Sequence, residues 1–82
     1  MKKSIGKTAS PDSLKALANA IIVQAAKDYR QALRKQQKEP DNAAARIRIE
    51  EVERFFRSDW YRLLTAVDGE MMIRMLREDV EE

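Results

Sequence analysis

The chain contains no cysteine and no histidine, and only two glycines and two prolines among its 82 residues. Without thiols or imidazoles there is no disulfide framework, no thiolate nucleophile and no Ser-His or Cys-His catalytic pair. The Cys/His ligand sets of structural zinc sites are excluded as well. Gly6 and Gly69 stand alone, which excludes the Gly-rich loops that cradle phosphates, because such loops need backbone freedom at several closely spaced positions. Charge interrupts every apolar stretch, so no segment is expected to span a membrane. The basic start Met1-Lys2-Lys3 is followed by no apolar signal region, so secretion is not expected. Absence of cysteine fits a cytoplasmic setting. No catalytic residue, metal site or cofactor is expected from this composition.

What is present is 44% hydrophobic and 37% charged residues, which fits one small globular domain and not a disordered chain. A domain of this length buries only ~60% of the surface its unfolded chain exposes, so a partner or a second copy covering one face would add stability.

Residues 1–11 carry three lysines, no acid and no apolar period, and read as a flexible basic tail ahead of a single helical domain over 12–82. Ser10-Pro11-Asp12-Ser13 supplies helix-start chemistry. Beyond it Leu14, Leu17, Ala18, Ile21, Ile22, Ala25, Tyr29, Ala32 and Leu33 share one face at about 100° per residue, predicting an amphipathic helix to about Gln37. Pro40 ends it, since a residue before proline is pushed out of the helical region. Asp41 or Asn42 can cap a second helix from Ala43, with Ala45, Ile49, Val52 and Phe56 on its inner face. Trp60, Leu63 and Val67 extend that row, so one helix to about residue 66 satisfies the pattern, as does a break at Ser58-Asp59, which is good capping chemistry. An unbroken helix would put Asp59 on the apolar face, a cost that favours the break. Asp68 then caps a last helix with Glu70 in its first turn, Met72, Met75, Leu76 and Val80 inward, and Ile73 on the flank. With no alternating β-branched run, the fold class is all-α, a small bundle of three to four helices.

Charge is unevenly distributed along the chain. Residues 12–40 hold six bases against three acids, whereas residues 68–82 hold two bases against six acids, so the net +2 conceals a basic front and an acidic end. Lys27, Arg30, Arg34 and Lys38 recur at helical spacing opposite the apolar face. They read either as a solvated outer face or, with the lysines of the tail, as a stripe that follows a nucleic-acid backbone or docks on an acidic protein. Glu78, Asp79, Glu81 and Glu82 lack the alternating ligands and central glycine of a calcium loop and read as a solvated end. Asp28 and Asp59 lie on the borders of apolar faces, where each needs a local partner. Only if they met in space could they form an acid–base pair.

Four of the five aromatic residues fall in Phe55-Phe56-Arg57-Ser58-Asp59-Trp60-Tyr61. Helical spacing puts Phe56 and Trp60 on the core face and Phe55 and Tyr61 on its flanks. The cluster either fills a helix junction or leaves one or two rings exposed to anchor a partner, with Met71, Met72 and Met75 adding adaptable apolar surface. The candidate partner-binding residues are Phe55, Trp60, Tyr61 and Met71. Val23 and Ile47 also stand off their helices' inner faces, which points to a second buried surface.

The segments Ala20 to Arg30 and Phe55 to Thr65, continued by Asp68-Gly69-Glu70, resemble a family of small uncharacterised helical proteins encoded by prophages and mobile elements of Firmicutes. The likeness spans about residues 14–80, with Asp-Tyr-Arg and Phe-Phe-x-Ser-x-Trp as its distinctive parts. It implies a bacterial cytoplasm during phage infection or element transfer, and it assigns no reaction and no functional residue. Small mobile-element proteins without catalytic residues commonly act by stoichiometric binding, among them anti-CRISPR inhibitors of host defence and modulators of host machinery. The expected function is therefore non-enzymatic binding of a host or element-encoded protein or protein–nucleic-acid complex. The alternative is a small nucleic-acid-binding regulator using the first helix and the tail. Oligomerisation is compatible with either.

Overall fold

Pro11 opens the first helix, α1 (Pro11–Lys38), at a position where its missing backbone N–H is no loss. The computed structural model describes residues 11–81. The flexible tail expected over 1–11 lies outside them, except for Pro11. Beyond α1 follow α2 (Ala43–Phe56), α3 (Asp59–Leu64) and α4 (Gly69–Glu81), with no strand among the described residues, so the fold is an all-α bundle.

Side-chain caps set the element boundaries. Asn42, in extended backbone, accepts the Ala45 N–H at 2.9 Å and so starts α2. Ser58 breaks the chain between α2 and α3: its hydroxyl donates to the Phe55 carbonyl at 2.6 Å and accepts the Tyr61 N–H at 3.1 Å. Of the two readings of this stretch, the break holds. Asp68 accepts the Met71 N–H at the start of α4.

α2 turns back along the C-terminal half of α1, and α4 lies against both, its far end held by a hydrogen bond from Gln37 to the Val80 carbonyl. Between them sits one core of Tyr29, Ala32, Leu33, Ile49, Val52, Phe56, Tyr61, Ile73 and Leu76. The inner face expected for α2 is buried in full, Ala45 included.

Six residues expected on inner faces are exposed: Leu14, Leu17 and Met75, and also Trp60, Leu63 and Val67 of the row expected to continue α2. Leu14 and Leu17 are 56% and 58% exposed, because α1 outruns its partners. Its 28 residues span ~42 Å, whereas α2 and α4, with 14 and 13 residues, each span ~20 Å. Met75 is half-exposed while Ile73, expected on the flank, is buried. Ile73 and Leu76 lead the inner face of α4, with Met72 and Val80 packed against the core beside them, which turns Met75 outward.

Candidate interaction surfaces

The aromatic cluster divides into a buried box and an exposed ring. Phe56 and Tyr61 are 1% exposed and meet edge to face with centroids 5.4 Å apart. Phe55, half-buried, lies 5.5 Å from Phe56 and 5.7 Å from Tyr61. Tyr29 of α1 closes the group at 6.1 Å from Phe56. Tyr61 is thus a core residue and presents no ring to a partner, while Trp60, expected in the core, is 54% exposed. Both reversals have one cause. The Ser58 cap, with extended φ and ψ, redirects the chain, so α3 starts with a new helical phase and Tyr61 inherits the inward direction that an unbroken row would have given Trp60.

Asp59 is corrected by the same break. Its side chain is 95% exposed and pairs with Arg62 in the first turn of α3, not on an apolar face. Asp28 is engaged separately, by Gln24 at 3.0 Å and by Arg48 of α2 at 3.7 Å, so no contact joins the two acids. Among the described residues no group of three or more carboxylates is placed to hold a metal ion, and no helix is long and apolar enough to cross a membrane.

The exposed apolar residues concentrate at the α3 end. Trp60 and the 79% exposed Leu63 share one face of α3 at i, i+3, and Met71 and Met75, about half-exposed, share one face of α4 at i, i+4. Val67 lies exposed between the two helices. Of the expected partner-binding residues, then, Trp60 and Met71 are available, Phe55 offers part of its ring, and Tyr61 is withdrawn. Val23 and Ile47 are half-exposed, so the described residues do not bury them.

On the outer face of α1, Lys27, Arg34 and Lys38 are exposed and Arg30 is half-buried. Lys27, Arg30 and Arg34 form no ion pair among the described residues.

One polar constellation carried little signal in the sequence. Tyr29, fully buried, donates from its hydroxyl to Glu53 Oε2, and Arg77 of α4 donates to the same carboxylate while its guanidinium stands 5.9 Å above the Tyr29 ring. Arg57 approaches the other oxygen at 3.6 Å. Burial pushes the Glu53 carboxyl up, but the hydrogen bonds from Tyr29 and Arg77 and the charges of Arg77 and Arg57 together hold it below the usual carboxylate range. The Tyr29 hydroxyl is raised, first by burial and then by the carboxylate beside it. The available sign was a tyrosine on an otherwise aliphatic inner face, since a buried hydroxyl needs a partner. Joining α1, α2 and α4, this cluster is a structural clasp.

Tyr61 makes the contrast. Its hydroxyl is buried with no hydrogen-bond partner among the described residues. It borders a hollow of about 500 Å³ whose charged lining, Arg57, Arg62, Asp68 and Glu70, sums to no net charge. Arg57 is already bound to Glu70 and Arg62 to Asp59. Removing an unpaired buried hydroxyl costs no interaction, so Tyr61→Phe is expected to leave stability within about 0.5 kcal/mol of wild type or to raise it. Urea unfolding checks this, and a loss well above 1 kcal/mol would reveal a bond to the hydroxyl.

No protein-family model matches the chain, and no curated protein or solved structure is significantly similar to it.

Proposed function

We propose that the protein acts without catalysis, by stoichiometric binding of a macromolecular partner through the exposed apolar residues of α3 and the front of α4. One observation carries this reading. In a chain that is 37% charged, Trp60, Leu63, Val67, Met71 and Met75 are large, apolar and about half-exposed or more within sixteen consecutive residues. Tryptophan is among the commonest energetic anchors of interfaces, and methionines adapt to a partner's shape. The likeness of two segments to prophage and mobile-element proteins of Firmicutes suggests the setting. The partner would be a protein or protein–nucleic-acid complex of the bacterial host or of the element, met in the cytoplasm. Inhibition of a host defence system, in the manner of anti-CRISPR proteins, or modulation of host machinery would follow from occupancy alone.

A second reading, a small nucleic-acid-binding regulator, is favoured by the unpaired cations on the outer face of α1. Against it stands α4, whose exposed Glu78, Asp79 and Glu81 belong to a helix packed on α1 and lower the potential there.

Capture of partners from an element-bearing host lysate by the tagged full chain, with and without nuclease, separates the two. On the first reading Trp60→Ala and Leu63→Ala each weaken capture at least about tenfold, with helicity unchanged by circular dichroism, since both side chains are exposed. Capture that survives both substitutions but is lost with nuclease, or with Lys27→Glu and Arg34→Glu, would transfer the function to the basic face.

A further inference from the structure

The first half of α1 poses a separate problem. From Ala16 to Ala26 the chain runs eleven residues without a charge, the longest such stretch in the sequence. Yet none of these side chains is buried. Ile22, Ala25 and Ala26 pack partly against the core, but the face that carries Leu17 has no cover, because α2 and α4 end short of it.

Leu17, Ile21, Gln24 and Asp28 follow one another at intervals of four, three and four and so stack along one face. Next to this row is a groove of about 420 Å³, lined by Ala20, Ile21, Gln24, Ala25, Asp28 and Phe55. Only Asp28 among them is charged, and Gln24 and Arg48 already engage it. One heptad before Gln24 in the row stands Leu17, 58% exposed and with nothing to fill. Knob and groove therefore lie on the same helix face, one heptad apart.

We propose that this face pairs antiparallel with the same face of a second copy, each Leu17 seated in the other copy's groove. A two-fold axis passing near Ala20 and Ile21 sets Leu17 against Gln24 of the second copy and, by symmetry, Gln24 against its Leu17. One contact is thereby made twice, as an isologous interface requires. A charged or polar target would be desolvated against this face without compensation, whereas a second copy brings an equally uncharged surface. Ala20, small and on the edge of the row, lets the two helices approach closely there. The overlap is about sixteen residues, or ~24 Å, which places the contact in the weak class below ~1,200 Å². The association is accordingly expected to be weak and readily reversible. This pairing uses residues distinct from Trp60, Leu63 and Met71, so it stands or falls apart from the proposed partner face.

Sedimentation of the full chain from about 1 to about 500 µM is expected to show a reversible monomer–dimer equilibrium. Leu17→Glu and, on the groove side, Ala20→Glu should each weaken it at least tenfold with helicity unchanged, both positions being exposed. Because the chain has no cysteine, the register is also testable. The double variant Leu17→Cys, Gln24→Cys should give a disulfide-linked dimer on mild oxidation, and Leu17→Cys alone should not. A monomer throughout the concentration range, a dimer indifferent to both glutamates, or efficient self-crosslinking of Leu17→Cys would each overturn the proposal.

Discussion

Gly69→Ala is expected to destabilise the protein by about 3 kcal/mol or more, although alanine is the better helix former by ~1 kcal/mol. Gly69 is the first residue of α4, and a Cβ built on it would stand 2.0 Å from the Phe56 carbonyl oxygen and 2.9 Å from its carbon. Both are backbone atoms at the end of α2, so no rotamer change makes room. The Tyr61 ring, 3.6 Å away, closes the other side. Space, and not backbone conformation, requires glycine here. To admit a methyl group the start of α4 must move off the end of α2, loosening Ile73 and Leu76 from Phe56. For a domain of this size stability is about 4–12 kcal/mol, so the loss is a large fraction of the whole. The transition midpoint should fall by ~12–24 °C, read by thermal circular dichroism. An alanine variant as stable as wild type would show that α4 does not approach α2 so closely.

How far the sequence foretold this structure depends on whether a signal was local. Asn42, Ser58 and Asp68 were legible as caps because capping is a bond between a side chain and an N–H two or three residues on. The inner face of α2 was legible for a similar reason, since the period of Ala45, Ile49, Val52 and Phe56 belongs to a single helix. Directions between helices were not. A cap at Ser58 says where α3 begins but not how its axis turns, so the row that led from Phe56 to Trp60 misassigned Trp60 and Tyr61. Nor does periodicity say how long a neighbour is: Leu14 and Leu17 lie on an apolar face whose cover ends before reaching them. Asp68-Gly69-Glu70 was readable as an interruption, while the contact that forbids a side chain at Gly69 joins residues thirteen apart. Of the candidate surface, Trp60, Met71 and part of Phe55 were already among the expected partner-binding residues, although the inner row had also placed Trp60 in the core. Leu63, read as a continuation of the inner row, proved the most exposed large apolar residue described.

Replacing Tyr29 should produce a comparably large loss, and its parts can be separated. Tyr29→Ala removes a fully buried ring from the junction of α1, α2 and α4, together with its contact to Phe56 and its place under Arg77. By analogy with other buried aromatic truncations the expected cost is about 4 kcal/mol. Tyr29→Phe keeps the ring and deletes only the hydroxyl that donates to Glu53. Hydrogen bonds to charged groups are worth ~1.5–3 kcal/mol, and Glu53 retains Arg77 and Arg57, so about 1.5 kcal/mol is expected. That smaller loss should depend on pH in a defined sense. Since the Glu53 carboxyl is held below its unfolded value near 4.5, its contribution is complete above that pH and is lost as pH falls through the folded value. With the Tyr29 hydroxyl raised above its unfolded value near 10.0, its contribution is complete below that pH and is lost as pH rises through the folded value. The stability difference between wild type and Tyr29→Phe should therefore form a plateau from about pH 6 to 9 and shrink as the solution becomes more acidic than about pH 5, or strongly alkaline. Urea unfolding across that range measures it. A difference that stayed constant down to pH 3 would mean that the hydroxyl's partner is not an ionised carboxylate, and the clasp joining the three helices would have to be assigned to Arg77 and the ring alone.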